Sequence, residues 1–233
     1  MRVIPARAGA VLLLAAAAAT TPAAASRPSD AAMAERLEAC AACHGEAGRS
    51  SSERYFPSIA GKPAGYLESQ LHNFRDGRRR HTIMEAMLAL MSDEYLADIA
   101  AYYARQEPKW TPPASAWPAE ALARGRTLVE EGDAAKDLPS CASCHGESLK
   151  GVAPFIPSLL GVRPEYLSAQ LGAWRSGARK AEPPDCMAEI AQRLGPQDIG
   201  AVTAWIASLP YPADHRPQPS LPHDLPLECG GVR

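Results

Sequence analysis

Residues 40–45 read CAACHG and residues 141–146 read CASCHG. Each copy holds two thiols three positions apart with an imidazole directly after the second. Cysteines at that spacing have three common uses: a redox-active disulfide, half of a zinc site, or thioether attachment of heme. The redox disulfide belongs in a βαβ setting and gives the histidine nothing to do. A single zinc site would take Cys40, Cys43, Cys141 and Cys144 as four sulfur ligands, yet it leaves unexplained why the residues around both motifs repeat as well. Covalent heme c gives every position a task. Cys40 and Cys43 would add across the two vinyl groups, and the turn between them would set His44 against the iron as proximal ligand. Cys141, Cys144 and His145 would do the same a second time.

The sixth position at each iron separates an electron carrier from an enzyme, because substrate reaches the metal only where that position is open or displaceable. The second half of the chain holds one methionine, Met187, seven residues before Leu194. Leu194 aligns with Met91 at the start of the last helix of the first half, and seven residues before Met91 lies Met84. The repeat therefore selects Met84 and Met187 as distal ligands, leaving Met87 and Met91 as packing residues. His72 and His81 have no histidine counterpart in the second half. His215 and His223 fall in the C-terminal tail, where solvated loop residues are expected.

The elements that would position these groups come in pairs. At an offset of 100, FPSIAGKPAGYLESQLHNFRDG from Phe56 overlays IPSLLGVRPEYLSAQLGAWRSG from Ile156, so that Pro57 meets Pro157, Tyr66 meets Tyr166 and Gln70 meets Gln170. At 101 the two hexapeptides coincide, and at 103 MSDEYLADIAAYY overlays LGPQDIGAVTAWI. The chain is a tandem duplication. Tyr66, Leu67, Gln70, Leu71 and Phe74 share one face of a helix that begins near Pro63 and stops at Gly77, and Pro164 to Gly177 repeats it. A last helix in each half carries Leu96, Ile99, Ala100 and Tyr103, matched by Ile199, Val202, Thr203 and Ile206. No stretch alternates convincingly with period two, so the expected class is all-α: two tandem domains of a few short helices, each wrapped around a covalent heme. The expected boundaries are a leader at 1–25, a first domain at 26–108, a proline-rich linker at 109–119 that should be extended and stiff, a second domain at 120–210 and a proline-rich tail at 211–233. Domains this small with so few aromatic residues have thin cores. A large apolar cofactor would supply the missing buried surface.

The 233 residues are 46% hydrophobic with a formal net charge of -2, which gives no sign of a nucleic-acid partner. Arg78, Arg79 and Arg80 form the one basic run, read as a solvated turn or as a docking patch. Met1-Arg2 and Arg7, the apolar stretch AGAVLLLAAAAA and Ala23-Ala24-Ala25 read as an export signal cleaved near Ala25. The stretch is well short of the ~20 residues that span a bilayer. The expected location is the periplasm, where spare thiols oxidise. Once four cysteines go to heme, Cys186 and Cys229 remain. A disulfide between them would pin the tail beside Met187, worth ~3–4 kcal/mol in the chain-entropy model; two unrelated thiols are the alternative.

On CAACHG and CASCHG, FPSIAG and IPSLLG, YLESQL and YLSAQL, and Met84 and Met187, the chain resembles the periplasmic diheme cytochromes of the cytochrome c-four type over nearly its whole mature length. The resemblance implies two class I cytochrome c domains about a pseudo-twofold axis, two heme c groups with His/Met ligation, and carbonyls of Pro57 and Pro157 that hydrogen-bond the proximal imidazoles. It does not account for the tail or for Cys186 and Cys229, and the stretch from Gly77 to Met84 is short. The function implied is electron carriage between a donor, such as a quinol-oxidising complex or a dehydrogenase, and a terminal oxidase or other acceptor, leaving room for peripheral membrane contact. Two rivals stand beside it. One is a catalytic diheme oxidoreductase of peroxidase or thiosulfate-oxidising type, which Cys186 would favour as a competing iron ligand. The other is the cytochrome subunit of a dehydrogenase complex, docked through the tail.

Overall fold

The computed structural model describes residues 28–50, 56–110, 113 and 116–232. The expected leader at 1–25 and part of the linker lie outside the described residues. Among those described, the all-α expectation holds: the elements are helices, joined by turns and a few isolated bridges. The first half runs α1 (Asp30–Arg36), α2 (Glu38–His44), α3 (Ala64–Arg75), α4 (Thr82–Leu88) and α5 (Asp93–Ala104). The second runs α6 (Ala119–Glu130), α7 (Ala142–His145), α8 (Pro164–Ser176), α9 (Cys186–Arg193) and α10 (Pro196–Ser208). Among the described residues no helix is long and apolar enough to cross a membrane.

Local chemistry sets the ends of these helices. Pro63 precedes α3 and Pro164 opens α8, where a missing N–H costs nothing. Ser92 caps α5 by accepting from the Tyr95 amide at 3.3 Å, and Asp185 caps α9 by accepting from Ala188 at 3.1 Å. Gly177 closes α8 in the left-handed region. The stripes read from the sequence face inward: Leu96, Ile99, Ala100 and Tyr103 are buried in one core, Ile199, Val202, Thr203 and Ile206 in the other. The cores are separate clusters, built on Met33, Leu67, Phe74 and α5 in the first half and on Leu128, Val129, Leu171 and α10 in the second.

The halves meet along α3 and α8 in a crosswise pattern. Arg79 and Arg179 pair as an antiparallel bridge, flanked by Arg80 N–H to Ala178 O at 2.9 Å and Lys180 N–H to Arg78 O at 2.8 Å. Arg79 donates to Gln70 of its own half (3.0 Å) and to Tyr166 (2.6 Å) and Gln170 (2.8 Å) of the other. Arg179 mirrors it, donating to Gln170 (2.8 Å) and across to Gln70 (2.8 Å) and Tyr66 (3.5 Å). This corrects the sequence reading of the Arg78–Arg80 run. Arg80 is exposed, but Arg79 is only 8% exposed and belongs to the interface.

The tail forms no helix and is held at three places. His215 stacks on Tyr211 and pairs with Glu107 at 3.2 Å. Gln218 exchanges backbone bonds with Gly151 and Ala153 at 2.9 and 2.8 Å. Cys229 is bonded to Cys186, as cysteine counting led one to expect.

Candidate heme sites

Each CxxCH ends a helix, and the glycine that follows turns the chain back over the histidine. Gly45 and Gly146 both have positive φ, 75° and 82°. The returning loops are tied down by Ser50 N–H to His44 O (2.6 Å) and Gly151 N–H to His145 O (2.9 Å). That route brings the Pro57 carbonyl to His44 Nδ1 at 3.0 Å and the Pro157 carbonyl to His145 Nδ1 at 2.8 Å. A carbonyl only accepts, so Nδ1 carries the proton in both rings and Nε2 keeps its lone pair. Burial lowers the pKa of both imidazoles against the opposing pull of those carbonyl bonds. A neutral ring with a fixed Nε2 lone pair is what an iron ligand requires.

The cysteines are suited to covalent attachment and poorly suited to disulfide chemistry. Cys40, Cys43, Cys141 and Cys144 are free thiols, while Cys186 and Cys229 are joined. Burial pushes the Cys141 thiol up to about 12 and raises Cys144 and Cys40 as well. A redox-active pair needs a lowered thiol pKa, the opposite of this. Among the described residues no three His, Cys, Asp or Glu side chains gather as a metal cluster, so the four thiols do not form one zinc tetrahedron.

Both motifs open onto one cavity of about 1230 Å³ that runs through the two halves. Leu67, Leu71, Leu88 and Ile99 wall one end; Leu167, Leu171, Val202 and Ile206 wall the other. Unfilled, a cavity of this size leaves those leucine and isoleucine side chains facing water in domains whose whole stability is ~5–15 kcal/mol. The chain needs something large and apolar here. Its walls also ask for negative charge. Lys62, Arg79 and Arg179 line the cavity, the two arginines buried and Lys62 half-buried, and their partners are carbonyl, amide and phenol oxygens rather than carboxylates. Burial, and then the neighbouring Arg79 charge, act against the protonated form of Arg179. Trp174 Nε1 is buried without a hydrogen-bond partner, and Trp174 lines the same cavity. An apolar macrocycle bearing carboxylates, which is what heme is, fits both demands.

The sequence-predicted methionines lie on the cavity wall: Met84 near the start of α4, packed on the first core, and Met187 near the start of α9, packed on the second. Met91 packs on the first core as expected. Met87 is 39% exposed and lies on the cavity wall rather than in the first core. His81 caps α4, its Nδ1 accepting from the Met84 amide at 3.4 Å, and His72 sits between Glu68 and Asp93. What the sequence reading missed is the cationic seam. Arg79 and Arg179 align at the same offset of 100 as the rest of the repeat, so the signal was there; a charged triplet at a helix end simply reads as a solvated turn.

Comparison with known proteins agrees with this geometry. The sequence profile described as Cytochrome c matches residues 31–105 and again 122–210. The chain is 35% identical over 186 residues to the thiosulfate dehydrogenase electron acceptor of Thiomonas intermedia, covering 80% of this chain and 85% of that one. It is 36% identical over 183 residues to cytochrome c4 of Pseudomonas aeruginosa, covering 77% and 89%. The crystal structure of reduced recombinant cytochrome c4 from Pseudomonas stutzeri superposes with a TM-score of 0.67 at 29% identity, over 78% of this chain and 98% of that one.

Proposed function

The chain belongs to the cytochrome c family as a tandem, diheme member of the cytochrome c4 type with two covalently bound heme c groups, and from that premise we propose that it is a periplasmic carrier that takes single electrons from a dehydrogenase and yields them to a terminal oxidase or similar acceptor. Bound at these sites, heme c supplies a one-electron iron couple, and His/Met ligation places it at the high-potential end of the range. The chain's own residues do the rest. Cys40, Cys43, Cys141 and Cys144 anchor the groups. His44 and His145, aimed by the Pro57 and Pro157 carbonyls, would hold the irons from one side of each site, and Met84 and Met187 on the cavity wall would hold them from the other. The leucine and isoleucine walls give both sites an apolar lining.

The observation that carries this reading is the sameness of the two sites. Each half keeps a carbonyl-bonded histidine and a methionine at the matched place, and neither offers a differently furnished position for substrate. The main support for a catalytic second heme was Cys186 as a competing ligand, and its sulfur is committed to Cys229. A thiosulfate dehydrogenase as electron donor is favoured by the relative from Thiomonas intermedia, whose name places it as that enzyme's acceptor.

Mixing experiments on the oxidised holoprotein test the proposal. Thiosulfate alone should leave the visible spectrum oxidised, and thiosulfate with a catalytic amount of a thiosulfate dehydrogenase should reduce both hemes. Turnover of thiosulfate by the cytochrome alone would overturn the carrier reading in favour of the enzyme.

A further inference from the structure

The tail closes one heme site and leaves the other open. Leu225, Leu227, Cys229, Gly230 and Val232 all contribute to the cavity wall, and they do so beside α9. Gly230 N–H donates to the Pro184 carbonyl at 2.9 Å, and a Cβ at Gly230 would lie 2.2 Å from the Pro183 carbonyl oxygen, so the tail's end lies flat on the loop that leads to Met187. Upstream, Gln218 is bonded to Gly151 and Ala153, in the loop that returns over His145. The segment between these anchors therefore runs from the histidine side of the second site to its methionine side. In the first half the equivalent helix, α4, carries Ile83 at 58% exposed, and Leu90 in the turn that follows is 100% exposed, with nothing among the described residues strapped across them.

We propose that residues 211–232 are a strap over the second heme site and that the Cys186–Cys229 bond is its latch, opened by thiol–disulfide exchange. This rests on the heme reading above and goes beyond it, because it assigns the bond a switching role at one site. Cys186 is the first residue of α9 and Met187 the second. The bond thus fixes the helix turn that presents the methionine. Opening the latch needs a dithiol as reductant. Its two thiols give two electrons and two protons, the S–S bond breaks, Cys186 and Cys229 each gain an S–H, and the dithiol leaves as its own disulfide. With the latch open, what holds the strap lies mostly at its upstream end: the packing of Tyr211 on the second core, the His215–Glu107 and Lys150–Asp214 pairs and the backbone bonds of Gln218. Both the cover over the site and the brace on Met187 are then released, while Met84 is untouched.

The test uses the heme-loaded mature chain in its ferric state with imidazole as probe, which displaces a labile methionine and changes the visible spectrum. Three samples are compared: the untreated protein, the same protein reduced with dithiothreitol, alkylated and reoxidised with ferricyanide, and the Cys186→Ser/Cys229→Ser variant. Imidazole should enter one heme at least ten-fold faster in the second and third samples than in the first, with the other heme unchanged. The same comparison on a Met84→Ala background, where the first heme has no methionine to lose, should retain the acceleration. Equal rates in all samples, or acceleration at the heme of the first half, would sink the latch; so would alkylation of Cys186 and Cys229 without reductant. The intact masses of the same samples report heme. A chain lacking two heme additions defeats the heme reading and the latch with it, whereas two hemes with unchanged kinetics defeat the latch alone.

Discussion

The two halves repeat the heme site but not the frame that holds it. In the second half, α6 is a full helix of 12 residues, and its Gly125 lies so close to α10 that a Cβ there would fall 2.1 Å from the Ala201 carbonyl oxygen. Arg124 on that helix bonds Asp198 of α10 at 2.9 Å and Asp133 at 2.7 Å, and Lys136 also pairs with Asp198. In the first half the corresponding place is taken by α1, of seven residues, which buries Met33 and adds one exposed pair, Arg105 with Asp30. Add the strap, and the second half is the braced and covered one. The lesson is that iron ligation demands the same few side chains each time, while packing around them is free to diverge.

Substitutions that act on one half alone should break this comparison most sharply. Gly125→Val forces a side chain into the Ala201 backbone, which cannot yield as a flexible side chain would. The cost should reach about 3 kcal/mol, the upper end for overpacking, and thermal unfolding followed at the heme bands should split, with the second half melting first. Met33→Ala is the mirror probe. Truncating a buried methionine costs ~2–5 kcal/mol, so it should make the first half melt first. If either variant lowers both halves equally, the two frames are one cooperative unit and the contrast drawn here fails.

The arginine seam should behave in the opposite way, because it belongs to both halves. Arg79→Gln leaves Tyr166 without its donor and takes from Gln70 and Gln170 one of the two donors each has, a loss of ~1–3 kcal/mol. Removing a positive charge near the irons makes the added electron less welcome, so both reduction potentials should fall. For scale, two unit charges ~10 Å apart at an effective dielectric of ~20 interact by about 1–2 kcal/mol, which for one electron is some tens of mV. A spectroelectrochemical titration checks it. A fall confined to the first heme would mean that Arg79 serves its own half only.

These contrasts were unevenly legible in the sequence. The heme-binding hexapeptides and the α3/α8 pair could be read because the duplication wrote them twice, whereas the role of Pro57 and Pro157 over the histidines came from the resemblance to the diheme cytochromes. The disulfide could be read because cysteines can be counted. Arg79 and Arg179 were also written twice, yet their burial depends on how one half lies on the other, and no pattern within a half encodes that. Gly125 was unreadable for a related reason: a glycine within a helix stripe weakens the pattern, and only the approach of α10 explains it. Met87, read as a packing residue, lies instead on the cavity wall, because which face of α4 meets the cavity is set by the elements around it.

The smallest effect expected separates the two ion-pair systems by pH. Burial alone would raise the Asp198 carboxyl, but its hydrogen bonds and charge attraction to Arg124 and Lys136 prevail and hold it below the usual carboxylate value. A group whose folded pKa is depressed contributes stability above its unfolded pKa, near ~3.9, and loses it as the pH falls through the lower folded value. The Asp198 side chain is only 10% exposed, but Arg124 and Lys136 are 38% and 39% exposed, so solvent screens the attraction and about 1 kcal/mol is the scale to expect. Asp198→Asn should therefore cost about that much at pH 7, with the difference from the unsubstituted protein shrinking as the pH is taken below 4. Asp30→Asn removes a pair whose two side chains are 56% and 50% exposed, and should change stability little at any pH. Urea unfolding of the holoproteins at pH 7 and at pH 3.5 measures both. A pH-independent loss for Asp198→Asn would mean that its role is packing rather than charge, and that the second half's bracing comes from Gly125 and the strap.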